Sequence, residues 1–178
     1  LFSKSRDNPM GVSAGSVTVD FRKVQTWKQG IVDRLSGGIL GLLQANRVNV
    51  IRGEASFLAP DAVEIREGRQ VYAMKFQSCV IATGSRPVEL PAFPFGGKIL
   101  SSTEVLRLSE IPGRLVVIGG GYIGVELSQA FARLGTRITM LEGQPRILPG
   151  LEEYLSSLVV RKLRAQGAAV VTGAKAEK

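Results

Sequence analysis

Three glycines and one glutamate in this chain have the types and spacing to hold a nucleotide. Gly119, Gly121 and Gly124 form G-x-G-x-x-G within "LVVIGGGYIGVEL", residues 115–127, and Glu142 follows Gly119 by 23 residues. A run of branched apolar residues stops at the first glycine, and a helical pattern takes over. That is the context in which this spacing binds a pyrophosphate. Gly119 allows a tight turn, Gly121 leaves room for the backbone to approach the phosphates, and Gly124 lets the helix pack close to the strand. The N–H groups of Tyr122 and Ile123, at the start of the helix, face that anion with the positive end of the helix dipole. Glu142 would accept hydrogen bonds from the adenosine ribose hydroxyls and repel a 2′-phosphate. Arg146 is four residues on, after a proline, so the pattern favours NAD over NADP. The glycines alone fit any tight strand-to-helix turn; Glu142 and the flanking elements are what argue for a ligand.

The elements that must position these residues follow strand–helix–strand–helix–strand order. Residues 114–119 ("RLVVIG") read as a strand buried on both faces, 121–135 as a helix stopped by Gly135, and 136–142 as the next strand. Residues 151–167 are a second helix stopped by Gly167, and 168–173 a third strand. This alternation implies parallel pairing through right-handed crossovers. Upstream the grammar differs. Residues 1–19 read as a loop or displaced tail. From Asp20, which reads as an N-cap, the residues Val24, Trp27, Ile31, Leu35, Ile39 and Leu42 recur at helical spacing. Strands are expected at 48–53, 62–67 and 71–76, the last two joined by "EGRQ" as a hairpin, and a near-continuous apolar strand at 78–83. Residues 86–97, rich in proline, read as a linker, and 101–108 as a capped helical turn. The fold class is therefore α/β: a Rossmann-like βαβαβ unit preceded by a long helix and a β-meander.

Composition removes several functions. The 178 residues hold one cysteine and no histidine. Zinc sites, Cys-His nucleophiles and Ser-His triads are therefore excluded within the chain, and chemistry here must come from a cofactor. We expect no metal site and no catalytic residue. Cys79, within "CVIATG", reads as a buried strand residue, and nothing points to secretion, so a cytoplasmic setting is expected. The 23 Lys and Arg against 15 Asp and Glu give a net charge of +8. Those charges are scattered and not interleaved with aromatics, which argues for a solvated surface rather than nucleic-acid binding. No apolar run has the length of a membrane span, and the first residues lack the apolar core of a signal peptide.

Four stretches occur together and in order: "WKQGIVDRLSGGILGLLQANRVNVIRGEASF", "CVIATGSRPVELP", "ILSSTEVLRL" and "VVIGGGYIGVEL". In this the chain resembles the flavoprotein disulfide reductases, over nearly its whole length. The resemblance implies two nucleotide sites. Gly119, Gly120, Gly121, Tyr122, Ile123 and Gly124 would hold the NAD pyrophosphate. Glu126 would lie near the nicotinamide, Glu142 would take the adenosine ribose, and Ala174 would touch adenine. Tyr122 stands where an aromatic ring covers the flavin in some members; otherwise it is a plain helix-start residue. Ala55 would contact the FAD adenine through its backbone, and Ala82, Thr83, Gly84 and Ser85 would pass along the FAD. Residues 1–100 would be part of an FAD-binding domain and 101–178 an NAD-binding domain cut short at its C-terminus.

The implied activity is NAD-linked oxidation of dihydrolipoamide to lipoamide. Another member's activity, such as that of mercuric reductase, and a non-catalytic dinucleotide-binding module are the alternatives. The implied partners are NAD(H), FAD, a second copy in a homodimer, and a 2-oxo acid dehydrogenase complex. The family's first glycine motif, its redox cysteine pair and its His-Glu pair are absent from these residues. The chain is thus expected to be an internal fragment, inactive by itself.

Overall fold

The computed structural model describes residues 18–176; the expected N-terminal tail lies almost wholly outside them. Packing divides the chain into two units. One holds the start of the first helix, up to Trp27, and the chain from Pro87 onward; the other holds Lys28–Arg86.

The first helix, α1 (Phe21–Ala45), begins where expected, with the Asp20 carboxylate accepting from the Lys23 N–H at 3.1 Å. It stops in a Schellman turn, with Arg47 N–H donating to Gln44 O and Val48 N–H to Leu43 O, both at 2.9 Å. Arg47 takes the left-handed conformation (φ 56°) that glycine usually supplies there. Phe21 packs tilted on Phe131 with ring centroids 6.5 Å apart, and Gln25 Nε2 donates to Leu108 O at 2.7 Å. No residue of the helix is buried, and its apolar stripe, including Trp27, Leu35, Ile39 and Leu42, is exposed.

Three antiparallel strands make the meander: β1 (Glu54–Ala59), β2 (Ala62–Glu67) and β3 (Gln70–Lys75), in the order β1-β2-β3. Pairing of Phe57 with Val63, of Val63 with Met74 and of Ile65 with Tyr72 collects the apolar side chains on one face. Two expectations are corrected in this unit. Residues 48–53 form no strand; the first strand is Glu54–Ala59. The turn at Pro60-Asp61 puts Ala59 opposite Ala62 and so folds back the segment next to it. Nor is 78–83 a strand. It has no ladder partner among the described residues, and an unpaired segment has nothing to hold its apolar side chains under cover. Val80 and Ile81 are open, and Cys79 is exposed rather than buried.

The unit that runs from Pro87 onward carries the core. Helix α2 (Ser102–Val105) opens with a complete capping box. Ser101 Oγ accepts from Thr103 N–H at 3.2 Å, while the Glu104 carboxylate accepts from the Ser101 N–H at 2.8 Å and from its hydroxyl. Strands β4 (Arg114–Ile118), β5 (Arg137–Glu142) and β6 (Ala169–Thr172) are parallel and adjacent in sequence order. Helices α3 (Tyr122–Arg133) and α4 (Glu153–Ala165) make the crossovers. Both end in Schellman turns with Gly135 (φ 101°) and Gly167 (φ 86°) in the glycine position, as their spacing predicted.

Val125 and Phe131 of α3 and Leu163 of α4 join Ile138, Met140 and Val170 in one buried cluster, with Leu115 and Val117 packed against it. The ladder pairs Leu115 with Ile138, Val117 with Met140 and Met140 with Val170, so these side chains share one face. Both helices therefore cover the same side. The expectation that 114–119 is buried on both faces is corrected: Val116 and Ile118, pointing the other way, are exposed. Apolar residues on successive positions state that both faces can be buried, not what covers them.

Truncating the core residue Leu163 to alanine is expected to cost about 2–5 kcal/mol in chemical denaturation, and Ser101→Ala about 1 kcal/mol through the lost cap. The bonds from Ser101 hold the Glu104 carboxyl below its ordinary value of 4.5. A carboxyl depressed by folding adds stability above its unfolded value and loses it as pH falls through the folded one. Melting at descending pH is therefore expected to reveal an acid-sensitive component that Glu104→Gln removes.

Candidate functional site

Parallel pairing of Ile118 with Leu141 brings the end of β4 beside the end of β5. The ladder runs one bond further, Gly119 N–H donating to Leu141 O at 2.8 Å. The chain then turns at Gly119, whose φ of 103° excludes side chains in practice, and α3 begins at Tyr122. A Cβ at Gly124 would stand 2.3 Å from Gly119 O and 3.2 Å from Val117 Cγ1. The close approach of helix to strand therefore exists only because residue 124 is glycine. A Cβ at Gly121 would meet nothing within 4 Å. Its space faces outward, where a ligand can come up to the backbone.

The helix start fits an anion. Gly121 is the N-cap and provides no side chain to bond the first N–H groups. No backbone acceptor among the described residues takes the N–H of Gly121, Tyr122 or Ile123. Tyr122 and Ile123 are exposed beside them. Such unpaired donors at the positive end of a helix suit a phosphate or pyrophosphate.

Glu142 ends β5 and reaches the turn. Its Oε2 accepts from Gly120 N–H at 2.6 Å and its Oε1 from Gln144 N–H at 2.7 Å. Each oxygen of an ionised carboxylate has two acceptor positions, so one on each oxygen remains for a further donor pair. Ala174 lies next to it after β6, its N–H donating to the Glu142 carbonyl at 3.0 Å. The structure thus gathers Gly119–Gly124, Glu142 and Ala174 at one end of the parallel sheet. Glu126 is exposed on the first turns of α3.

Arg146 is turned onto its own loop, Nη2 donating to Pro149 O at 3.2 Å. The loop 143–150 is the part of the site that sequence reasoning passed over. Ile147 is fully buried under the glycine turn, and Leu148 N–H donates to Gly120 O at 2.8 Å. The signal for it was present: an apolar pair, Ile147-Leu148, in an otherwise polar loop between Pro145 and Pro149.

The residues expected at a second nucleotide belong to the other unit. Ala55 lies on β1, paired with Ile65, and is exposed. Ala82, Thr83, Gly84 and Ser85 run in an exposed irregular segment, with Gly84 at φ 74° and open space where its Cβ would be.

The family model described as pyridine nucleotide-disulphide oxidoreductase matches residues 2–178. The chain is 50% identical over 158 residues to the dihydrolipoyl dehydrogenase of Bacillus subtilis (strain 168), spanning 89% of this chain and 34% of that protein. To the dihydrolipoyl dehydrogenase of Geobacillus stearothermophilus it is 47% identical over 168 residues, 94% of this chain and 36% of the relative. The chain thus spans about a third of the length of these curated relatives. Among solved structures, the HOCl-induced flavoprotein disulfide reductase RclA from Escherichia coli superposes with a TM-score of 0.80 at 28% identity, over 89% of this chain and 37% of that one. The fold also matches LpdA from Mycobacterium tuberculosis, with a TM-score of 0.80.

Two glycine variants separate packing from binding. Gly124→Ala is expected to lower stability by about 1–3 kcal/mol through overpacking, read as a fall in Tm. Gly121→Ala, at φ −71° and in open space, is expected to leave Tm unchanged and to weaken dinucleotide binding in a titration.

Proposed function

Because this chain belongs to the pyridine nucleotide-disulphide oxidoreductase family, we propose that it supplies the NAD site and part of the FAD site of an NAD-linked dihydrolipoamide dehydrogenase. The reaction is dihydrolipoamide + NAD+ to lipoamide + NADH. The observation that carries the NAD assignment is Glu142, held beside the glycine turn with an acceptor position left on each oxygen. The names of the relatives support the substrate.

In this reading residues 101–178 form the NAD-binding domain and 1–100 part of the FAD-binding domain. The unpaired N–H groups from Gly121 to Ile123 bind the pyrophosphate. Gly119 and Gly120 shape the turn, and Gly124 holds the helix against the strand. Glu142 orients the adenosine ribose, Ala174 borders the adenine, and Glu126 lies toward the nicotinamide. Tyr122, exposed at the helix start, stands where its ring would cover the flavin. Ala55 and the segment Ala82–Ser85 border the FAD.

When bound, the two cofactors supply hydride transfer between nicotinamide and flavin. The sulfur exchange and the proton handling need a cysteine pair and a histidine, and these 178 residues hold one cysteine and no histidine. The chain alone is therefore expected to be inactive. The whole protein works as a homodimer, in the cytoplasm, within a 2-oxo acid dehydrogenase complex. No helix among the described residues is long and apolar enough to cross a membrane.

The test is equilibrium titration of the whole protein with NADH and NADPH. NADH is expected to bind more tightly, and Glu142→Ala to weaken it by about tenfold to a hundredfold, the worth of hydrogen bonds to a charged group. Equal affinities in the unmodified protein would overturn the ribose assignment.

A further inference from the structure

Gly120 is not one of the three glycines of the motif, yet it is the most tightly enclosed residue of the turn. It is buried. Its N–H is held by Glu142 and its carbonyl by the Leu148 N–H. A Cβ at this position would stand 2.6 Å from Ile147 Cγ2, 2.9 Å from Ile147 Cβ and 3.2 Å from Glu142 Oε2. Unlike Gly119, it does not have the positive φ that requires glycine, so only space demands it. The volume a methyl group would take is what lets both the carboxylate and the isoleucine close on the turn.

Ile147 is 0% exposed and belongs to the core cluster. The loop that carries it is pinned on several sides. Leu148, a non-glycine residue at φ 50°, adopts a conformation that branched and bulky side chains rarely take. That turn aims its N–H at Gly120. Gly173 N–H donates to Gln144 O at 2.9 Å, and Ala174 N–H to Glu142 O. A methyl group at 120 would force Ile147 to shift and would press on the Glu142 carboxylate at 3.2 Å, so a larger residue there disturbs both together.

We propose that Gly120 and Ile147 are positioning residues that determine nucleotide specificity. Together they hold the Glu142 carboxylate against the glycine turn, where it selects an unphosphorylated ribose. The inference rests on the NAD reading above and adds that the selectivity of Glu142 is set by what packs beneath it.

The experiment is a double-mutant cycle on the whole protein, read as the ratio of NADPH to NADH dissociation constants, with Tm measured for every variant. Gly120→Ala is expected to lower the ratio by about tenfold, mainly by weakening NADH, as the loss of one well-placed charged hydrogen bond would. In a Glu142→Gln background the same change is expected to leave the ratio within about twofold, because coupled residues are not additive. Ile147→Ala removes the Cγ2 that a new Cβ would strike, so in the double variant it is expected to restore part of the ratio lost in Gly120→Ala. If Gly120→Ala does not fold, Ile147→Ala alone carries the test: with the side chain under the glycine turn trimmed, the ratio falls, and it does so only when Glu142 is present.

An unchanged ratio in folded Gly120→Ala, or an equal fall in both backgrounds, overturns the inference while leaving the NAD reading intact, provided Glu142→Gln itself lowers the ratio. A ratio unmoved by Glu142→Gln overturns the NAD reading and this inference with it.

Discussion

Ile118 stands opposite Leu141 in the parallel ladder, and the site is built outward from that pairing. Residues 22 apart in sequence, Gly120 and Glu142, come within a hydrogen bond because two adjacent parallel strands end side by side. The helix that follows β4 must then leave the sheet at once, which requires the turn at Gly119 and the near-contact at Gly124. Its unpaired N–H groups and the carboxylate are thus placed at the same end of the sheet. A parallel sheet with one face covered by its crossover helices puts strand ends and helix starts together, and ligands bind there for that reason.

The two units differ in how they are held. The parallel unit has a closed cluster of apolar side chains from α3, α4 and alternate strand positions. The meander unit has none: no residue between Lys28 and Arg86 is buried, and its order rests on strand pairing and on contacts such as Phe57 against Phe76 at 6.2 Å. A three-stranded sheet needs a covered apolar face for stability of its own. The exposed stripe of α1 and the open side of β4 are surfaces of the same kind, apolar in sequence and uncovered among the described residues.

Features governed by backbone conformation were legible in the residues. The stops at Gly135 and Gly167, the capping box at Ser101 and Glu104, the start of α1 at Asp20 and the alternation of parallel strands with helices all follow local rules. The shift of the first meander strand from 48–53 to Glu54–Ala59 shows where those rules end. Both stretches contain apolar residues, and the choice was made by the register that the Pro60-Asp61 turn imposes. The exposure of Cys79 has a similar origin, since an apolar run becomes a buried strand only when a neighbour pairs with it.

By itself the sequence determined the glycine spacing, the carboxylate at 142 and the order of the elements, because each depends on residues close in the chain. Tertiary structure alone decided where the Glu142 carboxylate rests, why no side chain fits at Gly120, and that Ile147 and Leu148 pack against the glycine turn. Those facts depend on distances between atoms that the chain separates by more than twenty residues, and on the absence of a methyl group that only a neighbour's position makes necessary. Spacing names the groups at the turn; packing beneath them sets where those groups stand.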